Sequence, residues 1–325
     1  MTFYADASSA TGYGHLYRSL LVARMYKMRH GGGIRAVMKG GHDATLLQEA
    51  GVVATFVDGD LVGRVCATAK PEDGPILLDS YCVTSDHLHT LKSKGYRVAL
   101  FDDGMRLSIY DADVVIDSAP GAEALPYAGA EHTQFLLGAN YFPLRDEFRN
   151  IPLQVGDKGT PTVVVTFGAS DPDDVTAMAV RALGQTSGVR LIVVLGPGYR
   201  GGVSEGDISE SHSVARNVKN MAKVFADASV VLCGGGGTAL EAAAMGKAVA
   251  IIILSPDQRP IADCLDQVGA AQIVGDFNAV EDNNISNAVM SLIENPQRRC
   301  AMSVVGRQMI DGHGAERIAD TLWGI

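Results

Sequence analysis

The 325-residue chain has no apolar run long enough to cross a membrane: the longest, Ala248 to Leu254, falls far short of the roughly 18 residues a span needs. Residues 1 to 30 show no uninterrupted apolar stretch of signal-peptide type either, so a soluble, cytoplasmic protein is expected. The five cysteines, Cys66, Cys82, Cys233, Cys264 and Cys300, are odd in number and include no Cys-x-x-Cys pair. That speaks against a disulfide framework or a zinc site and for free, mostly buried thiols. Positive charge is in short supply, with 27 Lys and Arg against 37 Asp and Glu, a formal charge of −10 and no basic cluster. Nucleic acid and anionic membrane surfaces are therefore poor partners, and any phosphate must be held locally by backbone amides and a few side chains. Two nucleotide signatures are missing as well. No Gly-Lys-Ser/Thr makes a P-loop, and no cleanly spaced Gly-x-Gly-x-x-Gly with an acid on the next strand supports a dinucleotide oxidoreductase.

What is present is apolar content of 47%, enough for a large core, in a chain longer than one core usually fills. Two domains are expected, residues 1 to 150 and 151 to 325, with the Pro/Gly/polar stretch from 149 to 161 as linker. Short continuous apolar runs alternate with helical periodicity, the pattern of parallel strands buried on both faces. In the first half the strand candidates are Thr2 to Ala5, Ile34 to Met38, Val52 to Val57, Pro75 to Leu78, Arg97 to Phe101, Asp113 to Ile116 and Gln134 to Leu137. In the second they are Thr162 to Phe167, Leu191 to Leu195, Ser229 to Cys233, Ala248 to Leu254 and Ala271 to Val274, before a helical region from about Pro296 to the end. The class is α/β, with one doubly wound plan used twice. Strands ending in Asp6, Asp79, Asp102 with Asp103, and Asp117 place acids where an open parallel sheet binds ligands, or where an Asp caps the next helix or turn.

Two glycine turns carry the chemistry. Gly12-Tyr13-Gly14-His15 precedes a helix from about Leu16, and the positive end of that helix disfavours an imidazolium. A neutral His15 can act as a general base; alternatively it simply begins the helix and bonds the backbone. The second turn lies in residues 229 to 246, where a buried strand, four glycines and an alanine-rich helix aim amides and a helix dipole at one spot, as a phosphate requires. Glu241 either closes a capping box with Thr238 or accepts the two hydroxyls of a ribose. Phe167-Gly168-Ala169-Ser170 and Ser255-Pro256-Asp257-Gln258 follow strands and supply small and hydrogen-bonding residues; each also reads as an ordinary turn.

Taken together, Asp6 to Arg18, Leu78 to Tyr81, Phe101 to Asp103, Leu136 to Phe148, Phe167 to Pro172, Asn220-Met221, Gly234 to Glu241 and Asp257-Gln258 resemble the UDP-sugar hydrolases of pseudaminic acid biosynthesis, within the GT-B superfamily. Tyr4, Ser19, Ala169 and Asp174 stand where that family usually has a basic residue, Cys, Gly and Asn. The resemblance implies two Rossmann-like doubly wound parallel-sheet domains facing across a cleft, the first carrying the catalytic histidine and the sugar side, the second the nucleotide. It implies hydrolysis of a UDP-linked diacetamido-trideoxy sugar by water attack at the anomeric carbon, without metal or cofactor, on the route to a sialic-acid-like nonulosonate. His15 matches the base, Met221 the uracil contact, Glu241 the ribose, Gly236, Gly237 and Thr238 the diphosphate, and Gln258 the phosphate or sugar. Asp6, Gly14, Arg18, Asp79, Tyr81, Asp103, Phe167, Gly168 and Ser170 complete the candidate substrate contacts, in a chain expected to be monomeric. A GT-B glycosyltransferase using a nucleotide-sugar donor and a non-catalytic nucleotide-sugar-binding subunit are the alternatives.

Overall fold

The computed structural model describes residues 1–6, 14–38, 45–56, 59–149, 151–152, 159–184, 186–203 and 212–325. The chain divides into two compact units, Met1–Leu144 with His313–Ile325, and Arg145–Gly312. The first contains β1 (Thr2–Ala5), α1 (Gly14–His30), β2 (Arg35–Met38), α2 (Thr45–Glu49), β3 (Val53–Phe56), α3 (Leu61–Thr68), β4 (Ile76–Asp79), α4 (Ser85–Ser93), β5 (Val98–Phe101), β6 (Val114–Asp117) and β7 (Gln134–Leu137). Its strands are all parallel, in the order β3-β2-β1-β4-β5-β6-β7. Alternate residues of each strand feed two cores. Phe3, Ala5 and Leu77 pack toward α1, while Tyr4, Ile76 and Leu78 pack toward α3 and α4.

The second unit contains β8 (Thr162–Thr166), α5 (Val175–Leu183), β9 (Arg190–Leu195), β10 (Ser213–Arg216), α6 (Met221–Ala226), β11 (Val230–Gly234), α7 (Gly237–Ala244), β12 (Ala248–Ile253), α8 (Arg259–Gln267), β13 (Gln272–Asp276), α9 (Asp282–Ile293) and α10 (Pro296–Met309). Its parallel order is β10-β9-β8-β11-β12-β13. Both sheets therefore reverse direction beside their first strand, at β1/β4 and β8/β11, and an open α/β sheet binds ligands beyond the carboxyl ends of such strands.

Three expectations need correction. The division falls at Leu144/Arg145 rather than at 150/151, and the final helical region breaks after Met309 so that α11 (Gly314–Gly324) belongs to the first unit. There Ala315, Ile318, Ala319 and Leu322 share a core with Val22, Ala23 and Tyr26 of α1. β10 was not expected: its Ser-Val-Ala-Arg sequence lies on the sheet edge, half-exposed, and lacks the apolar run that marks a strand covered on both faces. The thiols are free as expected but mostly not buried. Cys233 lies in β11, whereas Cys66, Cys82 and Cys300 are exposed on helix and turn surfaces.

The seat of α11 leaves no room at Gly314, where a Cβ would stand 2.6 Å from the carbonyl carbon of Tyr141 and closer still to the Phe142 oxygen. Gly314→Ala must push backbone against backbone and is expected to destabilise the protein by about 1–3 kcal/mol. Urea unfolding measures this, and a loss below about 0.5 kcal/mol, the range of a neutral surface substitution, would contradict the packing.

Candidate active site

In the first unit, α1 opens directly below the switch between β1 and β4. His15, Arg18 and Ser19 lie at helical positions i, i+3 and i+4, so all three reach the same side of the helix. That side meets Asp79, the last residue of β4, whose carboxylate is completely buried. His15 Nδ1 lies 2.5 Å from Asp79 Oδ1, Arg18 Nε 2.7 Å from Oδ2, Arg18 Nη2 2.6 Å from Oδ1, and Ser19 Oγ 3.0 Å from Oδ2. The Gly-His-x-x-Arg spacing thus has a physical meaning: it lines up donors for one strand-end acid.

A nitrogen and a carboxylate oxygen 2.5 Å apart need a proton between them, so Nδ1 carries the hydrogen and donates to Asp79. Arg18 Nη2, 3.1 Å from the same Nδ1, is then a neighbour of the ring and not its donor. In the neutral ring this leaves the lone pair on Nε2, which nothing bonds among the described residues. His15 is nine-tenths buried, with the half-exposed Tyr81 ring standing edge-on at 4.7 Å. Tyr81 in turn lies under the Arg106 guanidinium at 4.8 Å.

Arg18 continues from Asp79 to Asp103 through bonds of 2.7 and 2.9 Å and sits over the Phe101 ring at 4.6 Å. Burial works against its charge, but Asp79 and then Asp103 outweigh burial and hold the guanidinium protonated well above its ordinary range. Burial would raise Asp103, and Arg18 prevails, holding that carboxyl below the usual range. Of the acids expected to meet a ligand, Asp79 is therefore sealed behind His15, Asp103 is paired with Arg18, and Asp6 is half-buried, its amide donating to the Asp79 carbonyl. Gly14 is exposed at the first turn of α1, with open space where a Cβ would point. Gly12 and Tyr13 lie outside the described residues.

In the second unit the glycine turn joins β11 to α7. Gly234 and Gly235 are buried; a Cβ on Gly235 would stand 3.2 Å from Ala262 Cβ and from the Gln258 carbonyl oxygen, so the turn packs tightly on α8. Gln258 holds it there, its Oε1 accepting from Gly235 N at 2.8 Å and Leu254 N at 3.2 Å. With Oε1 committed to two amides, the side-chain NH2 is the part left to donate to a ligand. α7 has Gly236 as its N-cap and no side-chain cap, and among the described residues the Gly237 and Thr238 amides have no acceptor.

The capping box, one of the two readings of Glu241, does not form. The helix starts at Gly237, which puts Glu241 one turn in, where Arg145 grips it through Nε–Oε1 at 2.6 Å and Nη2–Oε2 at 2.8 Å. Burial raises the Glu241 carboxyl, and the Arg145 ion pair opposes that rise. Arg145 also meets Glu147 at 3.1 Å, and Glu147 accepts the amide of Met221 at the start of α6. Arg145 and Glu147 escaped sequence reading, although both fall inside the Leu136–Phe148 segment; no spacing rule links them to Glu241. Gly168 and Ser170 are exposed beyond β8, whereas Phe167 is buried in the core, leaving its backbone rather than its ring available.

These features can be set beside known proteins. No family model matches the chain. The uncharacterized protein MJ1062 of Methanocaldococcus jannaschii is 24% identical over 278 residues, covering 80% of this chain and 56% of the relative. The chain thus spans a little over half the length of that curated relative. MurG of Acinetobacter baumannii superposes with a TM-score of 0.70 at 17% identity, covering 100% of this chain and 99% of MurG. The calicheamicin glycosyltransferase CalG4 gives 0.69 at 16%, covering 99% and 97%, and HepE of Anabaena, crystallised with UDP and glucose, gives 0.60 at 15%, covering 100% and 99%. The fold is GT-B. Among the described residues no helix of this GT-B chain is long and apolar enough to cross a membrane.

Asp79→Asn turns one of the two acceptor oxygens into an NH2 that faces donors, so the His15 tautomer is no longer fixed, and it removes the charge that compensates Arg18. A loss of about 3–5 kcal/mol is expected in urea unfolding, as for a broken buried ion pair. The ¹⁵N spectrum of the His15 ring should also lose its single Nδ1–H form, and an unchanged spectrum would refute the assignment.

A second test concerns Asp117, at the end of β6. Tyr127 Oη lies 2.7 Å from Asp117 Oδ2 and 2.9 Å from Asp102 Oδ2, and burial raises the Asp117 carboxyl above its ordinary value of 3.8. The native state then binds more protons than the unfolded chain between 3.8 and the raised folded value. Stability from this group falls as pH rises across that window. Asp117→Asn should flatten that part of the urea midpoint's pH dependence; a profile parallel to the parent's would exclude the effect.

Proposed function

We propose that this chain is a nucleotide-sugar enzyme in which His15 acts as general base on a hydroxyl nucleophile that displaces a nucleoside diphosphate from an anomeric carbon. The observation that carries the reading is the His15–Asp79 pair: a buried carboxylate fixes Nδ1–H and leaves Nε2 as the proton acceptor beside a sheet's switch point. His15 takes the proton, Asp79 orients the ring, and Arg18 balances the charge of Asp79 and Asp103. Tyr81, Asp6 and Gly14 are assigned to the sugar side.

The second unit is assigned the nucleotide. The uncapped start of α7, with Gly236, Gly237 and Thr238, suits a diphosphate because unpaired amides and the helix dipole both favour negative charge. Gln258 adds a side-chain donor. Glu241, held by Arg145, keeps the outer lone pairs of its carboxylate for a ribose diol, with Met221, Gly168 and Ser170 as further contacts. UDP is the proposed nucleotide, in keeping with the UDP seen in HepE.

Transfer to an acceptor hydroxyl is the reading favoured by the GT-B neighbours, whose names include glycosyltransferases. Hydrolysis of a UDP-linked diacetamido-trideoxy sugar is the narrower reading, favoured by the Gly-x-Gly-His-x-x-Arg and Leu-Gly-x-x-Tyr-x-x-Leu-Arg-x-Glu-Phe segments. In both, the proton on the nucleophile goes to His15 Nε2 and the bond that breaks joins the anomeric carbon to the diphosphate oxygen.

UDP- and CDP-linked diacetamido-trideoxy sugars incubated in ¹⁸O-water without acceptor distinguish them. Stoichiometric free sugar carrying the label supports hydrolysis, and turnover that appears only when an acceptor is supplied supports transfer. Label in the nucleotide means attack at phosphorus and defeats both. His15→Gln is expected to lower turnover by about 10²- to 10⁴-fold; activity within about threefold of the parent would remove the base assignment.

A further inference from the structure

Arg64 is one of two arginines buried among the described residues; the other, Arg299, spends its Nη1 on the carbonyls of Leu292 and Ile293. Arg64 lies on α3, is 9% exposed, and packs behind β1 on the sheet face opposite α1. Its Nη1 donates to Tyr4 Oη at 2.8 Å, while Nε is buried and has no hydrogen-bond partner. No carboxylate among the described residues comes within ion-pair distance. Asp60, nearby in sequence, is occupied as the N-cap of α3, and Asp6, whose field acts on the Tyr4 hydroxyl, is not paired with Arg64.

Elsewhere in the same molecule the Nε–Nη2 edge of an arginine forks onto two carboxylate oxygens. Arg18 does so on Asp79, Arg29 on Asp320 and Arg145 on Glu241. In Arg64 that edge has no such partner, and one neutral hydroxyl does not compensate a desolvated cation. The edge presents two parallel N–H donors, a match for the two oxygens of a carboxylate or phosphate. Tyr4 lies one residue before the end of β1, the strand at the sheet's switch point, and α3 follows β3 from the same carboxyl edge.

We infer that Arg64, steadied by Tyr4, is an oxyanion subsite of the first unit, built to take a carboxylate or phosphate group of a small-molecule ligand. It does not depend on the reaction proposed above, because it concerns neither His15 nor the nucleotide.

The test uses the full chain and the anions themselves. Thermal unfolding is followed in sodium acetate, sodium phosphate and sodium chloride at matched ionic strength, for the parent, Arg64→Met and Tyr4→Phe. Acetate or phosphate should raise the parent's transition by at least about 2 °C over chloride in a saturable way, about the shift a modest ligand gives a domain this size. Acetate acting alone identifies a carboxylate ligand, and phosphate acting alone a phosphorylated one. Arg64→Met should lose the part of the response that Arg64 supplies, leaving only what the α7 amides give phosphate, and Tyr4→Phe should keep it, because the Nε–Nη2 edge is intact. If Arg64→Met does not fold, calorimetric titration of the parent and Tyr4→Phe with the two anions decides. A parent indifferent to both oxyanions, or a response to each that is as large in Arg64→Met as in the parent, overturns the subsite.

Discussion

A carboxylate with no solvent at all must be compensated from within, and in this chain the Asp79 carboxylate is that group. Its desolvation costs several kcal/mol unless good donors surround it. Among the described residues all of its side-chain donors come from the first turns of α1, and this sets the rotational phase of the helix as well as its position over the sheet. Because Arg18 spans two acids, the loop after β5 is tied to the same point through Asp103. The imidazole inherits its orientation from this arrangement. One ring nitrogen faces Asp79, so the other must face away, and the base proposed for His15 is a by-product of neutralising a strand-end acid.

The second unit solves a similar problem by a different route. Glu241 is buried on α7, and its counter-ion arrives from Arg145, 96 residues earlier in the chain. Phe148, under the Arg145 guanidinium, packs against Phe225 of α6, while Glu147 holds the first amide of α6. The segment that begins this unit is thus pinned to the two helices flanking β11, which explains why the boundary falls at Arg145 and not at the polar stretch a few residues later. Composition marks where a chain can loosen; the ion pair marks where it is actually held.

That contrast also explains what the sequence could and could not disclose. Strands such as Thr162–Thr166 and Ala248–Ile253 were legible because a strand covered on both faces must be apolar throughout. The helix that opens at His15 was legible from the glycine turn before it. The role of Asp79 was not, since five strand-end acids met the same description and only the fold chooses which one lies under α1. The capping-box reading of Glu241 fails for a related reason: the Thr-x-x-Glu spacing is local, and it says nothing of where the helix begins. The compact packing of Gly235 against α8 lets the cap settle on Gly236, which places Thr238 inside the helix.

Each sheet doubles back beside its first strand, yet the two units fill that point with opposite chemistry. In the first, acids end the strands and cations come from the helix that faces them, a set that positions a proton acceptor. In the second, β11 ends in glycine, the first turn of α7 carries no acid, and the exposed partial charge is that of backbone amides. A negative ligand group is disfavoured beside the first set and favoured beside the second. The same winding therefore puts acids with their cations at one switch point and bare amides at the other, a difference that follows from which residue types end the strands and not from the fold itself.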